Sequence, residues 1–329
     1  MLKFAERTGP ELKGPDAKAA FGRLEEKYGD LVAAIQWFIV ERRTDEGLRL
    51  ANALYSFWIT KQRFDEGSVW FDRILGSSGG DEVRRGTAFM GAGFMAFWKG
   101  EDDRASLLFG RALEIGRRLG DPPLVSRALG GLARVALRSD VAEGRRLARE
   151  ALAVSEEAGD VPGRSNAMHL LGVGAQMAED LLEAREWMTR RLALVRELKN
   201  EALISSEAGN LSMVERQLGN LDAAEALVRE AMEIAERRGD EFMKPFTLSG
   251  LAAVATERGK FERAATLIGA AEAIMEAQGA AWPPDERPHY DRVVATLTEA
   301  MGAEFDRVRA AGRAMTSSEA ASFALDAKA

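Results

Sequence analysis

Residues 279–292 read GAAWPPDERPHYDR, a stretch holding one of the chain's two histidines, a tryptophan, a tyrosine and three of its nine prolines. Histidine beside tyrosine, arginine and aspartate is the equipment of general acid–base chemistry. A second set is built on arginine. Arg127, Arg134 and Arg138 are spaced seven and four residues apart, which puts them on one face of a helix. An arginine fork suits a carboxylate or a phosphate. GSSGG (76–80) matches G-x-S-x-G around Ser78, and GAGFMA (91–96) matches G-x-G-x-x-A. The first mechanism needs a strand before the serine and a helix after it, and the second needs a preceding strand. Neither setting is present, so the first reads as an inter-repeat loop and the second as the interior of a helix. The chain has no cysteine, which removes disulfides, thiolate zinc sites and a cysteine nucleophile. His169 and His289 alone are too few for a histidine-rich metal site. No H-E-x-x-H and no G-x-x-x-x-G-K-[ST] occurs. Acidic pairs such as Glu156-Glu157 and Asp102-Asp103 read as solvated helix charge. No catalytic residue, metal or cofactor is expected.

The elements that position these side chains follow from the bulk numbers and the repeats. A hydrophobic fraction of 46% with 29% charged residues is that of a folded globular chain. A net charge of −7 and a pI near 5.3 argue against nucleic-acid binding through the whole surface. No apolar leader-like region opens the sequence and no run approaches the ~18 apolar residues of a membrane span. With the lack of cysteine this sets the expectation of a cytoplasmic protein, with no membrane and no direct nucleic-acid partner.

Five related segments, ALEIGRRLGD, ALAVSEEAGD, RLALVRELKN, AMEIAERRGD and AEAIMEAQGA, start at 112, 151, 191, 231 and 271. The period is 39 or 40 residues, and a diverged earlier copy lies at 52–75. Each copy reads as two helices. The first ends near a glycine such as Gly100, Gly219 or Gly259, and the second near Gly120, Gly159 or Gly239, where a left-handed residue closes a helix. The aspartate that follows can cap the next helix. The second helix repeats small residues (Ala105 and Ala112, Ala224 and Ala231, Ala264 and Ala271) that let backbones approach. Arg191, Gly144 and Gly67 depart from that alanine pattern. No period-two β-branched run suggests a strand. Stacked pairs bury a core that one pair cannot.

The Leu-Gly or Leu-small step of the first helix (Leu171-Gly172, Leu211-Ser212, Leu251-Ala252), the turn glycines and the small pairs resemble the tetratricopeptide repeat (TPR). With its flanks, the order is similar to the C-terminal, maltose-regulator-like region of LuxR-type and AfsR-type bacterial regulators and signalling cyclases built on a STAND-class NTPase. The resemblance implies an all-α, right-handed αα-superhelical solenoid. It would comprise an N-terminal helical cap (1–43), about six repeats (44–80, 81–120, 121–160, 161–200, 201–240, 241–279) and a C-terminal helical cap (280–329). It also implies that first helices line a concave groove. Carried over copy by copy, the groove set is Asn52, Phe94, Trp98, Arg127, Arg134, Arg138, Asn166, His169, Met213 and Arg216. Phe97 and Trp58 read as core. The implied function is a non-catalytic sensor or interaction module for a protein segment, peptide or small effector. Its NTPase or DNA-binding domain would lie in cis or in trans. The competing reading is an oligomerisation or autoinhibitory scaffold with no ligand of its own.

In this frame 279–292 stands where a further Gly-Asp turn is due. Pro283 and Pro284 cannot continue the preceding helix, and Asp285 and Glu286 fall at the positive end of the next. Trp282 and Tyr290 are sized to cover the last repeat. Helices are expected near 285–301, 303–313 and 317–326, the last opened by a Thr316/Glu319 capping box.

Overall fold

The computed structural model describes residues 1–12, 14, 16–278, 280, 282 and 286–326. The described residues form eighteen helices and no strand. Three helices open the chain: α1 (Leu2–Glu11), α2 (Ala17–Glu26) and α3 (Tyr28–Val40). Six helix pairs follow. They are α4 (Thr44–Thr60) with α5 (Phe64–Leu75), α6 (Glu82–Trp98) with α7 (Asp102–Leu119), and α8 (Pro122–Ala136) with α9 (Val141–Ala158). Then come α10 (Val161–Met177) with α11 (Leu181–Glu197), α12 (Glu201–Gln217) with α13 (Leu221–Arg238), and α14 (Lys244–Glu257) with α15 (Phe261–Ala277). The chain closes with α16 (Arg287–Met301), α17 (Glu304–Arg313) and α18 (Ser317–Leu325). Pro283, Pro284 and Asp285 lie outside the described residues.

The turns form as the glycines dictate. Gly100, Gly219 and Gly259 close first helices and Gly120, Gly159 and Gly239 close second helices, all with positive φ. Asp121 accepts from the Leu124 N–H at 3.0 Å and Asp240 from that of Met243 at 3.2 Å, whereas Asp160 makes no side-chain cap. Thr316 and Glu319 form the reciprocal capping box.

The chain divides into two compact units, Met1–Trp187 and Met188–Ala329. In the first, the first helices pack on one another in succession, α4 on α6, α6 on α8 and α8 on α10. Each second helix also packs on the first helix of the next pair. The alanine stripe is fully buried at Ala105 and Ala112. Phe109 is clamped between neighbouring first helices: a Cβ on Gly93 or Gly131 would lie 2.5 or 2.6 Å from its ring. Gly91 faces the Phe71 ring in the same way. The GAGFMA glycines therefore admit phenylalanines, not a dinucleotide. Gly67 and Gly144, where alanine is the rule, make room for Met95 and Leu137. The opening helices are tied down by a two-bonded Arg49–Glu6 pair (2.7 and 2.9 Å). Trp58 also donates to the Tyr28 hydroxyl (2.8 Å), which donates to Glu66 (2.6 Å). Phe57, Trp58 and Phe97 are core.

In the second unit α12 packs on α14 and α14 on α16, while α17 lies against α15. A Cβ on Gly269 would fall 2.0 Å from the Arg309 carbonyl, and one on Gly312 1.9 Å from that of Thr266, so α15 and α17 cross backbone to backbone. Buried Glu272 accepts from Tyr290 Oη, Arg309 Nε (2.8 Å) and Arg313 (3.0 Å). Trp282 stacks on Tyr290 with ring centroids 4.8 Å apart, and both pack on this core. α18 turns back onto α13, α14 and α15.

Candidate interaction surface

Two adjacent first helices have an unusual charge. α8 is opened by Asp121 and two prolines, and α10 by Pro162 in its first turn. Neither helix contains an aspartate or a glutamate. Between them they carry Arg127, Arg134, Arg164 and His169 in a chain of net charge −7. Arg127, Arg134 and His169 belong to the expected first-helix face, whereas Arg164 holds the register of Val125, which lines a cleft between α7 and α9.

The structure places seven of the ten expected site residues on α4, α6, α8 and α10, with Arg138 just past the end of α8. Trp98 is 40% exposed and lies parallel to Phe64, ring centroids 6.3 Å apart. Half-buried Phe94 sits between Tyr55 of α4 (6.1 Å) and Phe109 of α7 (5.1 Å). Burial pushes the Tyr55 hydroxyl well above its ordinary pKa, opposed by the positive charge of Arg134 on α8. Arg134 thus stands within electrostatic reach of the Tyr55–Phe94 pair. Asn52 donates to the Arg84 carbonyl at 3.1 Å. Exposed Arg127 reaches only its own helix in hydrogen bonding, through Nε to the Pro123 carbonyl at 3.2 Å. Asn166 of α10 leans over Gly130 of α8, where a Cβ would meet its amide nitrogen at 2.5 Å. His169 is half-buried one turn further along α10.

Arg138 is drawn elsewhere. Its guanidinium lies 3.6 Å from the Phe97 ring centroid and donates to the Phe97 carbonyl (3.2 Å) and to Asp102 (2.6 Å). It therefore caps the end of α6, where carbonyls lack intrahelical partners, and its charge is matched. Met213 and Arg216 belong to the other unit, on α12. Met213 is half-buried, and Arg216 pairs with Glu257 of α14.

Two features escaped the residue-by-residue reading. Glu207 on α12 is fully buried and pairs with Arg191 of α11. Its register is held by Ala88, Ala128 and Ala167 in the preceding first helices, so the departure was visible in the repeat alignment. The second is a pair of clefts of about 360 and 420 Å³ beside α8, between α7 and α9. None of the ten residues lines either one. Among the described residues no three His, Asp or Glu side chains are grouped to hold a metal. No described helix is long and apolar enough to cross a membrane.

Residues 202–277 match the family model of the tetratricopeptide repeat. That stretch, α12 to α15, carries tetratricopeptide repeats. No curated protein matches the sequence. Among solved structures, a Rap protein complexed with competence and sporulation factor is similar over 98% of this chain and 94% of its own, at 13% identity and a TM-score of 0.59. The Rap conjugation gene regulator of plasmid pLS20, in complex with the Phr* peptide, shares 12% identity over 79% of this chain and 77% of its own, with a TM-score of 0.57. A STAND protein with a TPR sensor from Pyrococcus horikoshii is 11% identical over 89% of this chain, with a TM-score of 0.50. The TPR chain spans about half of that protein, 48%. These likenesses fix the fold class as a TPR-like helical solenoid, and the TPR assignment marks it as a protein-interaction fold.

Proposed function

We propose that this TPR chain is a non-catalytic sensor and interaction module that takes an acidic protein segment on the first-helix face of its Met1–Trp187 unit. The observation that carries the reading is the acid-free pair α8 and α10, with Arg127, Arg134 and His169 on successive first helices. Arginine recognises carboxylates by paired, charge-assisted hydrogen bonds. Trp98, Phe94, Asn52 and Asn166 supply aromatic and amide contacts on the same four helices. Arg138, held by Asp102, contributes positioning of α6, and Met213 and Arg216 lie on α12 in the Met188–Ala329 unit. The two Rap structures, each solved with a peptide or signalling factor, support a segment of polypeptide over a small effector as ligand. The likeness to a STAND ATPase with a TPR sensor supports a place beside an NTPase domain.

The test uses a labelled acidic peptide library on the full chain. The Trp98→Ala/Arg127→Ala variant is expected to lose at least about tenfold in affinity with unchanged helicity by circular dichroism. Selection of basic peptides, or unchanged binding in the variant, removes this face as the site.

A further inference from the structure

Two of the chain's three tyrosines are built into the same three-part arrangement. Tyr28 Oη donates to Glu66 at 2.6 Å. Arg63 pairs with that carboxylate at 3.7 Å and lays its guanidinium 4.4 Å from the Tyr28 ring centroid. Tyr290 Oη donates to Glu272, and Arg309 Nε donates to the same carboxylate at 2.8 Å. In both places a carboxylate sits between a tyrosine hydroxyl and an arginine. The chemistry is matched, because the hydroxyl and the guanidinium donate and an ionised carboxylate only accepts.

Tyr55 has the arginine and no carboxylate. It packs, partly buried, against the core around Phe57 and Trp58. Its ring centroid lies 6.1 Å from that of Phe94, and the charge of Arg134 on α8 acts on its hydroxyl. Yet Oη makes no hydrogen bond to any described residue and is not sealed from solvent. The surrounding helices offer it no acid: none occurs in residues 47–64, 83–100 or 122–139. The acids that border these stretches are engaged elsewhere. Glu46 and Glu82 accept from Arg43 and Arg118, and Asp121 caps α8. Asp65 and Glu101 pair with Lys99, both at 2.9 Å, and Asp140 caps α9 through the Glu143 N–H at 3.0 Å. A donor without a partner at a partly buried position costs free energy that an incoming acceptor recovers.

We propose, resting on the acidic-segment reading, that one side-chain carboxylate of that segment enters between Tyr55 Oη and the Arg134 guanidinium, over the Phe94 ring. It completes there the arrangement that Glu66 and Glu272 complete within the chain. Tyr55 is then a specificity-determining residue of this face. Asn52 lies one turn before Tyr55 on α4, and Trp98 one turn after Phe94 on α6. Contact groups therefore continue on both sides, and the carboxylate belongs to the interior of the segment, not to its C-terminus.

The probe is the tightest-binding acidic peptide selected on the full chain, read by fluorescence anisotropy. Its acids are replaced in turn by their amides, and its C-terminus is amidated in a separate analogue. One side-chain replacement is expected to cost about tenfold in affinity, and C-terminal amidation nothing. Tyr55→Phe is expected to weaken the parent peptide by about the same factor and to bind that one amide analogue as the wild type does. Arg134→Gln is expected to remove the same preference. Urea midpoints show whether the variants stay folded; if Tyr55→Phe lowers the midpoint, Arg134→Gln carries the test. An acidic peptide that depends on Trp98 and Arg127 but binds Tyr55→Phe and Arg134→Gln as tightly as wild type overturns this subsite and leaves the acidic-segment reading standing. A loss produced by C-terminal amidation alone also overturns it. A wild-type chain that binds no acidic peptide overturns both.

Discussion

Arg191 and Glu207 illustrate how one residue pair specifies a junction. At the other junctions the same registers hold small residues, Ala151 against Ala167 and Ala231 against Thr247. Between α11 and α12 a guanidinium and a carboxylate replace them, with 6% and 0% of the side chains exposed. Removing one member of a buried pair strands the other charge, whereas removing both does not. Arg191→Ala and Glu207→Ala are each expected to cost about 3–5 kcal/mol in urea unfolding. The double alanine variant should be more stable than either single. Additive losses would show that the pair is not energetically coupled. Arg191 was conspicuous as an exception to the alanine stripe, but its partner lies sixteen residues away on the next helix. Only the packing of α11 against α12 joins the two.

At the scale of the element, the turns were the most legible part of the chain, because glycine alone enters the left-handed region without strain. Where the glycine is missing the turn persists. Gln62, Glu179 and Lys199 hold φ of 53°, 60° and 53° at repeat turns. Neighbouring helices force that conformation, so each non-glycine residue stores strain. Lys199 occupies the turn position held by Gly120, Gly159 and Gly239 in other repeats. Lys199→Gly is expected to raise stability by about 1 kcal/mol, read as a higher urea midpoint with an unchanged slope. A lower midpoint would mean that the lysine side chain holds the turn by contacts stronger than the strain. The Thr316/Glu319 capping box was equally legible, being local in sequence. The destination of α18 was not, since its serines meet acids some eighty residues away.

Across the molecule, the chain's three tyrosines share one electrostatic fate. Burial raises the hydroxyls of Tyr28, Tyr55 and Tyr290, with hydrogen bonds to Glu66 and Glu272 adding to the effect at Tyr28 and Tyr290. Tyr28 is pushed up to about 12. A tyrosine whose folded pKa exceeds its unfolded value of about 10 contributes stability below pH 10 that is lost as pH rises toward the folded value. Titration followed at 295 nm should show almost no tyrosinate between pH 10 and 11, then a step coincident with loss of helicity. Gradual ionisation centred near pH 10 would show that the hydroxyls are solvated.

The period, helix spans, turn glycines and alanine stripe could be read directly because each depends on residues within a few turns of one another, and local geometry repeats every forty positions. The GAGFMA and Pro-Pro segments lost their chemical readings for the same reason, as neither had the neighbouring strand or histidine partners that chemistry requires. What depended on tertiary structure involved residues far apart in the chain. Arg138 went to the end of α6, Glu207 to Arg191, and α18 into the α13/α15 groove. Sequence spacing places side chains on a helix face, but the helix opposite determines which of them are neutralised, which are buried and which remain for a partner.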